Sequence, residues 1–365
     1  MAGDLVLLGD LVVAAAPRPP GERWRAAGLA ELTGFPEGPA LDAPAPLADR
    51  LADLAATIAA LGGPVVDGPG LAAERATIEG LTRGGRTSCG GACRLVPTAD
   101  GWLAVNLPRP SDVELVPAWL EDDGAEWEKI VADRTAADLV DRATLLGLPV
   151  AAPGECTGRP TMRRPHPSLR KKTTAAGAEL RSIRVVDLTA MWAGPLCARL
   201  LGMSGAEVVK VEDPRRPDAA RGGSPELFRR LHEGHTFVEA RLDSAEVREL
   251  VLGADVVLES ARPRALPQAG LDREAIAAET GCVWVAITGY GLDGGNRSAF
   301  GDDAAVAGGL VAGTDDGPVF CADALADPTA GLFAAVGALA ALQEGGPWIV
   351  DVGLATAAAE LARAT

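Results

Sequence analysis

The chain has 365 residues, and its 34 Lys+Arg stand against 50 Asp+Glu, a formal net charge of −16. So negative a balance argues against a nucleic-acid binder, which needs a cationic face to displace phosphate counterions. At 48% hydrophobic and 23% charged residues, disorder, collagen and coiled coil are excluded, and the length suits about two or three domains. Lysine occurs only at Lys129, Lys171, Lys172 and Lys210, a usage expected of a GC-rich bacterial genome.

The opening "MAGDLVLLGDLVVAAAPRPP" carries Asp4 and Asp10 and has no positive leader region, so a cytoplasmic location is expected. Residues 1–62 read as a helical segment. It shares a weak repeat with the C-terminal part: Gly28-Leu29, Gly38-Pro39 and Leu47-Ala48-Asp49 recur as Gly309-Leu310, Gly317-Pro318 and Leu325-Ala326-Asp327. Each set runs into an Ala-rich helix, which suggests a partial duplication. Residues 63–155 read as a small α+β domain, with a hairpin in "CRLVPTADGWLAVNL" turning at Asp100-Gly101 and helices over 112–120 and 136–145. Residues 156–180 hold Pro160, Pro165 and Pro167 beside Arg159, Arg163, Arg164, Arg170, Lys171 and Lys172. Proline and like charge predict an extended, solvated linker.

From residue 181 to 365 the pattern changes. Short β-branched apolar runs at 182–188, 206–211, 255–259, 282–288 and 348–352 predict strands buried on both faces. Helices are expected over 195–203, 245–252, 272–279 and 328–342, with Pro195 at a first helical position and Ser244 and Asp272 as N-caps. Such alternation predicts an α/β fold: a doubly wound, parallel, Rossmann-like sheet beside the smaller α+β domain. The apolar stretch 328–342 is short for a membrane span and suits a buried helix. Six scattered cysteines form no CxxC pair and three His lie far from them, so neither zinc nor disulfides are expected.

The turn after the first of these strands reads Trp192-Ala193-Gly194-Pro195 in place of a G-x-G-x-x-G fingerprint, which argues against NAD or FAD. The turn still opens a helix whose free N–H groups suit a phosphate or a pantetheine amide. Glu212, ending the second strand, stands where such folds contact a ribose, and equally reads as a solvated strand-end acid.

"RVVDLTAMWAGPLCARLLGMSGAEVVKVEDP" resembles the opening of the class III CoA-transferases, the CaiB/BaiF type that includes formyl-CoA and carnitine CoA-transferases and α-methylacyl-CoA racemases. "ADVVLESARPRAL", "CVWVAITGYGLDGG", "LADPTAGLFAAVGALAAL" and "VDVGLATAAAEL" continue the resemblance in order. In the family the small domain follows the nucleotide-binding half; here it precedes residue 180, so the resemblance implies a permuted order. It also implies a homodimer, although the reordering puts the family's interlocked ring in question. The implied substrates are acyl-CoA and a carboxylate acceptor, with coenzyme A as the only cofactor-like group and no metal; the alternatives to CoA transfer are enolate chemistry on an acyl-CoA and a non-catalytic acyl-CoA-binding remnant.

The resemblance places the transferases' catalytic aspartate on Asp327, a carboxylate able to attack a thioester. Asp327-Pro328 also reads as a helix cap, a compatible role. Its repeat counterpart Asp49 reads simply as a cap. His235 stands where the family has a lysine, so it reads either as a contact to CoA phosphate or adenine or as a surface residue. Ser260 and Arg262 match a turn near CoA, Arg262 being either a phosphate partner or a solvated loop residue. Trp192 replaces a glutamine of some transferases and suggests a bulkier acyl pocket. Thr288, Gly289 and Tyr290 end the fourth strand, where α/β sheets bind ligands. The racemases' histidine is replaced in Gly301-Asp302-Asp303. Asp302 with Asp327 would serve enolate chemistry, as in a dehydratase, although two loop acids are more simply expected in solvent.

Overall fold

The computed structural model describes residues 5–122, 126–169, 176–177, 179–262 and 265–363. A two-residue strand, β1 (Val6–Leu7), is followed by helices α1 (Leu47–Ala60) and α2 (Gly68–Glu79). Leu47, Leu51, Leu54 and Ile58 fall three to four residues apart, so one face of α1 is apolar and buried. Next come β2 (Cys93–Pro97), β3 (Trp102–Asn106), helix α3 (Ala136–Leu146) and β4 (Val150–Ala151), the strands forming a small antiparallel sheet. The expected hairpin is there, closed by residues 98–101. The helix expected over 112–120 is broken into Pro110–Glu114 and Val116–Leu120, because Pro117 has no N–H to continue the ladder.

The stretch 156–180 departs from a solvated tether. It supplies β5 (Thr161–Arg163), whose Met162 is buried and whose backbone joins the main sheet. Its cations are bonded: Arg159 to Glu360 and Asp10, Arg163 to Glu274, while Arg164 lies 3.9 Å over the Trp348 ring. Arg170, Lys171 and Lys172 lie outside the described residues.

The strands read after residue 180 are present as β6 (Arg184–Leu188), β7 (Glu207–Glu212), β9 (Val256–Glu259), β10 (Val283–Thr288) and β13 (Trp348–Gly353). An edge strand, β8 (Thr236–Glu239), and a hairpin of β11 (Val311–Thr314) with β12 (Gly317–Phe320) add to them. Among the described residues the main sheet has eight strands in the order β1-β5-β13-β10-β9-β6-β7-β8. The run from β13 to β8 is parallel, and only β5 and β1 are antiparallel. Connecting helices are α4 (Ala193–Met203), α5 (Ala245–Leu252), α6 (Arg273–Thr280), α7 (Gly301–Ala307), α8 (Ala326–Glu344) and α9 (Leu354–Ala362). Ser244 and Asp272 do cap α5 and α6, accepting from Val247 and Ala275. Pro195 is the third helical residue rather than the first.

Helix α8 is buried on nearly every side. Its Ala and Gly side chains let neighbours come close: Gly331 abuts the Ala193 carbonyl, and Gly337 faces Val350 and Leu8. One apolar core therefore joins Leu8, Trp24, Leu51 and Ile58 to Val185, Leu332 and Leu339. The repeat is visible in part. Gly28 and Gly309 both take left-handed backbone, φ 78° and 89°, and both repeat helices, α1 and α8, lie in that core. Between them the copies differ, since 29–32 form a 3-10 turn where the second copy has the β11–β12 hairpin.

Candidate active site

The turn from β12 into α8 is strained. Ala322 and Ala324 are both left-handed, φ 59° and 43°, which costs a residue with a Cβ about 1–3 kcal/mol each. Side chains from three places hold the turn. Thr33 Oγ1 accepts from the Ala322 amide at 3.0 Å, and Asp302 Oδ1 accepts from the Ala324 amide at 3.0 Å. Asp323, wholly buried, receives Arg75 Nε at 2.7 Å and Nη2 at 2.5 Å. This turn delivers Asp327 as the second residue of α8, with Leu325 at the N-cap and no side-chain cap bond. The cap reading of Asp327 is therefore corrected. Asp49 is likewise not a cap: it is the third residue of α1 and pairs with Arg23 at 2.8 Å. A cavity of about 270 Å³ beside Asp49, lined by Trp24, Asp42 and the start of α1, lies away from Asp327.

Asp327 keeps part of its surface open, yet protein surrounds its carboxylate, which takes a hydrogen bond from the Gly301 amide. Burial pushes its carboxyl up to about 7; Arg75 pulls it down, and Asp302 and Asp323 push it further up. Asp302 and Asp303 are not solvated loop acids. They lie in the first turn of α7, both buried, because α7 is wedged between the small sheet and α9. Asp303 Oδ1 accepts from Asn106 Nδ2 at 2.7 Å and the Phe300 amide at 3.0 Å. Asp302 also takes a bond from the Ser88 hydroxyl; burial and then Asp323 push its carboxyl up to about 6, and burial pushes Asp303 up to about 7.

The turn after β6 reaches the same place. Trp192 is buried just before α4, with the Arg75 guanidinium 5.6 Å above its ring and, among the described residues, no partner for its indole N–H. Ala193 touches α8 one turn beyond Asp327, through Gly331. Gly194 is packed on Thr189, leaving no space for a Cβ. Met191, left-handed at φ 73°, donates its amide to Asp218, which faces the fully buried Lys210 at 3.9 Å. Lys210 also faces Asp187 at 3.4 Å.

The remaining residues singled out in the sequence spread along the carboxyl ends of the strands. Ser260 Oγ accepts from the Ala190 amide at 3.2 Å, tying the β9 end to the β6 turn. The chain switches direction between β6 and β9, and such switch points open ligand crevices. Thr288 is buried with its hydroxyl unpartnered among the described residues, and Gly289 lies against the Arg297 carbonyl. Tyr290 donates to Glu155 at 3.0 Å under the Arg297 guanidinium. Glu212 is bonded to Arg221, and Arg262 is exposed and bonded to Ser298. His235 points both ring nitrogens inward, and burial pushes it down to about 4, so it is neutral at pH 7 and brings no charge to a phosphate. The structure thus gathers Trp192, Ala193, Asp302 and Asp327 in one place; Glu212, ending the neighbouring β7, reaches the Trp192 turn through the Asp218 amide, and His235 stands before the edge strand β8. Arg75, Thr33, Ser88, Asn106 and Asp323 went unnoticed in the sequence. Asp323 comes nearest to a signal, two residues before the stretch opening at Leu325 that resembles the family.

The sequence model of CoA-transferase family III matches residues 180–365. The chain belongs to CoA-transferase family III. This family III chain is 34% identical to succinyl-CoA–D-citramalate CoA-transferase of Chloroflexus aurantiacus over 200 residues, 48% of this chain and 49% of the relative. It is 31% identical to succinate–glutarate CoA-transferase of Agrobacterium fabrum over 186 residues, 45% of this chain and 46% of that one. A solved CaiB/BaiF family protein from Brucella suis aligns at 28% identity and TM-score 0.45, covering 52% of this chain and 55% of that one. The chain spans about half the length of the curated relatives it matches. Within the family III match lie Asp302, Asp323 and Asp327; Thr33, Arg75, Ser88 and Asn106 stand outside it.

Proposed function

We propose that this chain transfers coenzyme A from an acyl-CoA to a carboxylic acid, with Asp327 as covalent nucleophile. The observation that carries the reading is Asp327 itself: a buried carboxylate on a residue that keeps part of its surface open, presented by a strained turn, in the segment that matches the family. In the proposed reaction its carboxylate attacks the thioester carbonyl, giving a mixed anhydride and CoA thiolate. The thiolate then attacks the aspartyl carbonyl, releasing the first carboxylate and leaving an aspartyl-CoA thioester. An acceptor carboxylate repeats both steps in reverse and leaves as its CoA ester, returning Asp327 as carboxylate. Burial favours this chemistry, because an anhydride must be kept from water.

The CoA chain would lie over the crevice between the β6 and β9 ends, near Ala190–Ala193 and Ser260. The unpartnered indole N–H of Trp192 and hydroxyl of Thr288 fit the amides of a pantetheine arm there. We also read the chain order as a permuted form of the family's, with both halves contributing to one unit. The test is intact mass after incubation with a panel of acyl-CoAs, with and without hydroxylamine, beside Asp327→Ala. A hydroxylamine-sensitive CoA adduct lost in Asp327→Ala supports the reading; CoA binding with no adduct on any donor overturns it for that panel.

One observation favours a second reading. Asp302 and Asp327 are neighbouring carboxyls that both titrate well above the usual range, as an acid/base pair for enolate chemistry requires. Solvent deuterium entering Cα of an acyl-CoA without CoA transfer would select it.

A further inference from the structure

Two residues outside the family match reach the turn that carries Asp327. Thr33 follows a 3-10 turn whose Leu29 carbonyl accepts its hydroxyl hydrogen at 3.0 Å, leaving the oxygen lone pairs for the Ala322 amide. Arg75 projects from α2 and closes a two-point fork on Asp323. Each restrained residue adjoins or is itself one of the two left-handed alanines, so each bond falls where the backbone would otherwise relax. We infer that Arg75 and Thr33 are positioning residues for Asp327: the N-terminal half holds the strained turn and sets a fixed cation beside the reacting carboxylate, completing the site within one chain. This inference rests on the reading of Asp327 as nucleophile.

The charge arrangement gives Arg75 a role beyond bracing. Three carboxylates converge here, Asp302 from α7, Asp323 from the turn and Asp327 from α8, with Asp303 and the thiols of Cys89 and Cys93 one layer out. Among the described residues, Arg75 is the cation that acts most strongly on Asp327, against the carboxylates of Asp302 and Asp323. Like charges crowded in a buried site cannot all ionise, and a guanidinium never gives up its proton. Arg75 therefore keeps a nucleophile available in a cluster that would otherwise hold protons. Its planar fork spans both oxygens of Asp323, which a lysine cannot do. Its place over Trp192 links the same cation to the turn after β6.

The experiment compares the parent, Arg75→Gln, Arg75→Lys and Thr33→Val. Infrared titration of the protonated carboxyl band, assigned with Asp327→Asn, is run beside the rate of acyl-CoA adduct formation. Arg75→Gln is expected to raise the Asp327 midpoint by about one unit or more and to slow the adduct by about 100-fold, with CoA affinity held within about threefold. Arg75→Lys keeps the charge and loses the fork, so the midpoint stays and the rate falls by about tenfold. Thr33→Val should slow the adduct at an unchanged midpoint. A folded Arg75→Gln with the parent's midpoint overturns the charge role, and Arg75→Lys at the parent's rate overturns the positioning role. Should Arg75→Gln not fold, Arg75→Met supplies the neutral replacement for the charge role, and the Lys and Val variants decide the positioning role. A parent with no adduct defeats the transferase reading alone, and the infrared midpoint still judges Arg75.

Discussion

Gly301 stands directly against Asp327, with its amide on the carboxylate and no room for a side chain between them. A methyl group there would run into Oδ2 of Asp327 and approach the Ala324 Cβ and carbonyl to 2.7 Å. Gly301→Ala is expected to lower stability by about 1–3 kcal/mol, and to slow adduct formation far more than that implies. Thermal melting beside adduct kinetics checks it; an active, merely destabilised variant would contradict the close fit.

The pH dependence follows from the raised Asp327. A carboxyl pushed up to about 7 is mostly protonated, and not nucleophilic, below that value. The rate of thioester attack should climb about tenfold per unit up to pH 6 and level off above about 8. A rate already flat from pH 4.5 would mean that Asp327 ionises like a surface acid.

Asp303 makes a prediction about stability rather than rate. Its folded value of about 7 stands above the 3.8 of an unfolded aspartate. The native state therefore binds the proton more tightly, and this contribution is complete below about 3.8 and disappears as pH rises through about 7. Asp303→Asn stays neutral and can still accept from Asn106 and Phe300, so its stability relative to the parent should grow from pH 4.5 to 8. Urea midpoints across that range test it, and parallel curves would refute it.

Asp218 anchors the left-handed Met191 through its amide, at 3.1 and 3.2 Å, and faces the buried Lys210. Asp218→Ala frees the turn that leads to Trp192 and weakens the company of a cation with no exposed surface. Binding of CoA, followed by calorimetry, should weaken by roughly tenfold, and the melting temperature should drop. Unchanged affinity would detach this turn from CoA.

How far the sequence could be read depended on the range of each interaction. The central parallel strands announce themselves because burial on both faces makes them apolar throughout, as in Val185-Val186 and Val256-Val257. Strand β8 is mostly exposed and carries no such run, and β1 and β5 are too short for any periodicity. Ser244 and Asp272 were legible because capping is local. The resemblance drew attention to Asp327, but Arg75 was not legible. It meets Asp323 across 248 positions, and nothing in "GLAAERATIE" distinguishes an arginine aimed inward from a solvated one. Burial of Asp302 and Asp303 is not legible for the same reason, since the Asn106 that bonds Asp303 comes from the small sheet.

Helix α8 has a consequence for how the molecule fails. Its walls come from α1 on one side and α4, α9 and the sheet on the other, so neither half has a complete interior without it. Loss of either half strips the helix bare. Heating should therefore abolish CoA chemistry and melt both halves in one transition, with no warm interval in which an inactive but folded remnant survives. The two halves expressed separately should each be insoluble, and should recover a native spectrum only when refolded together.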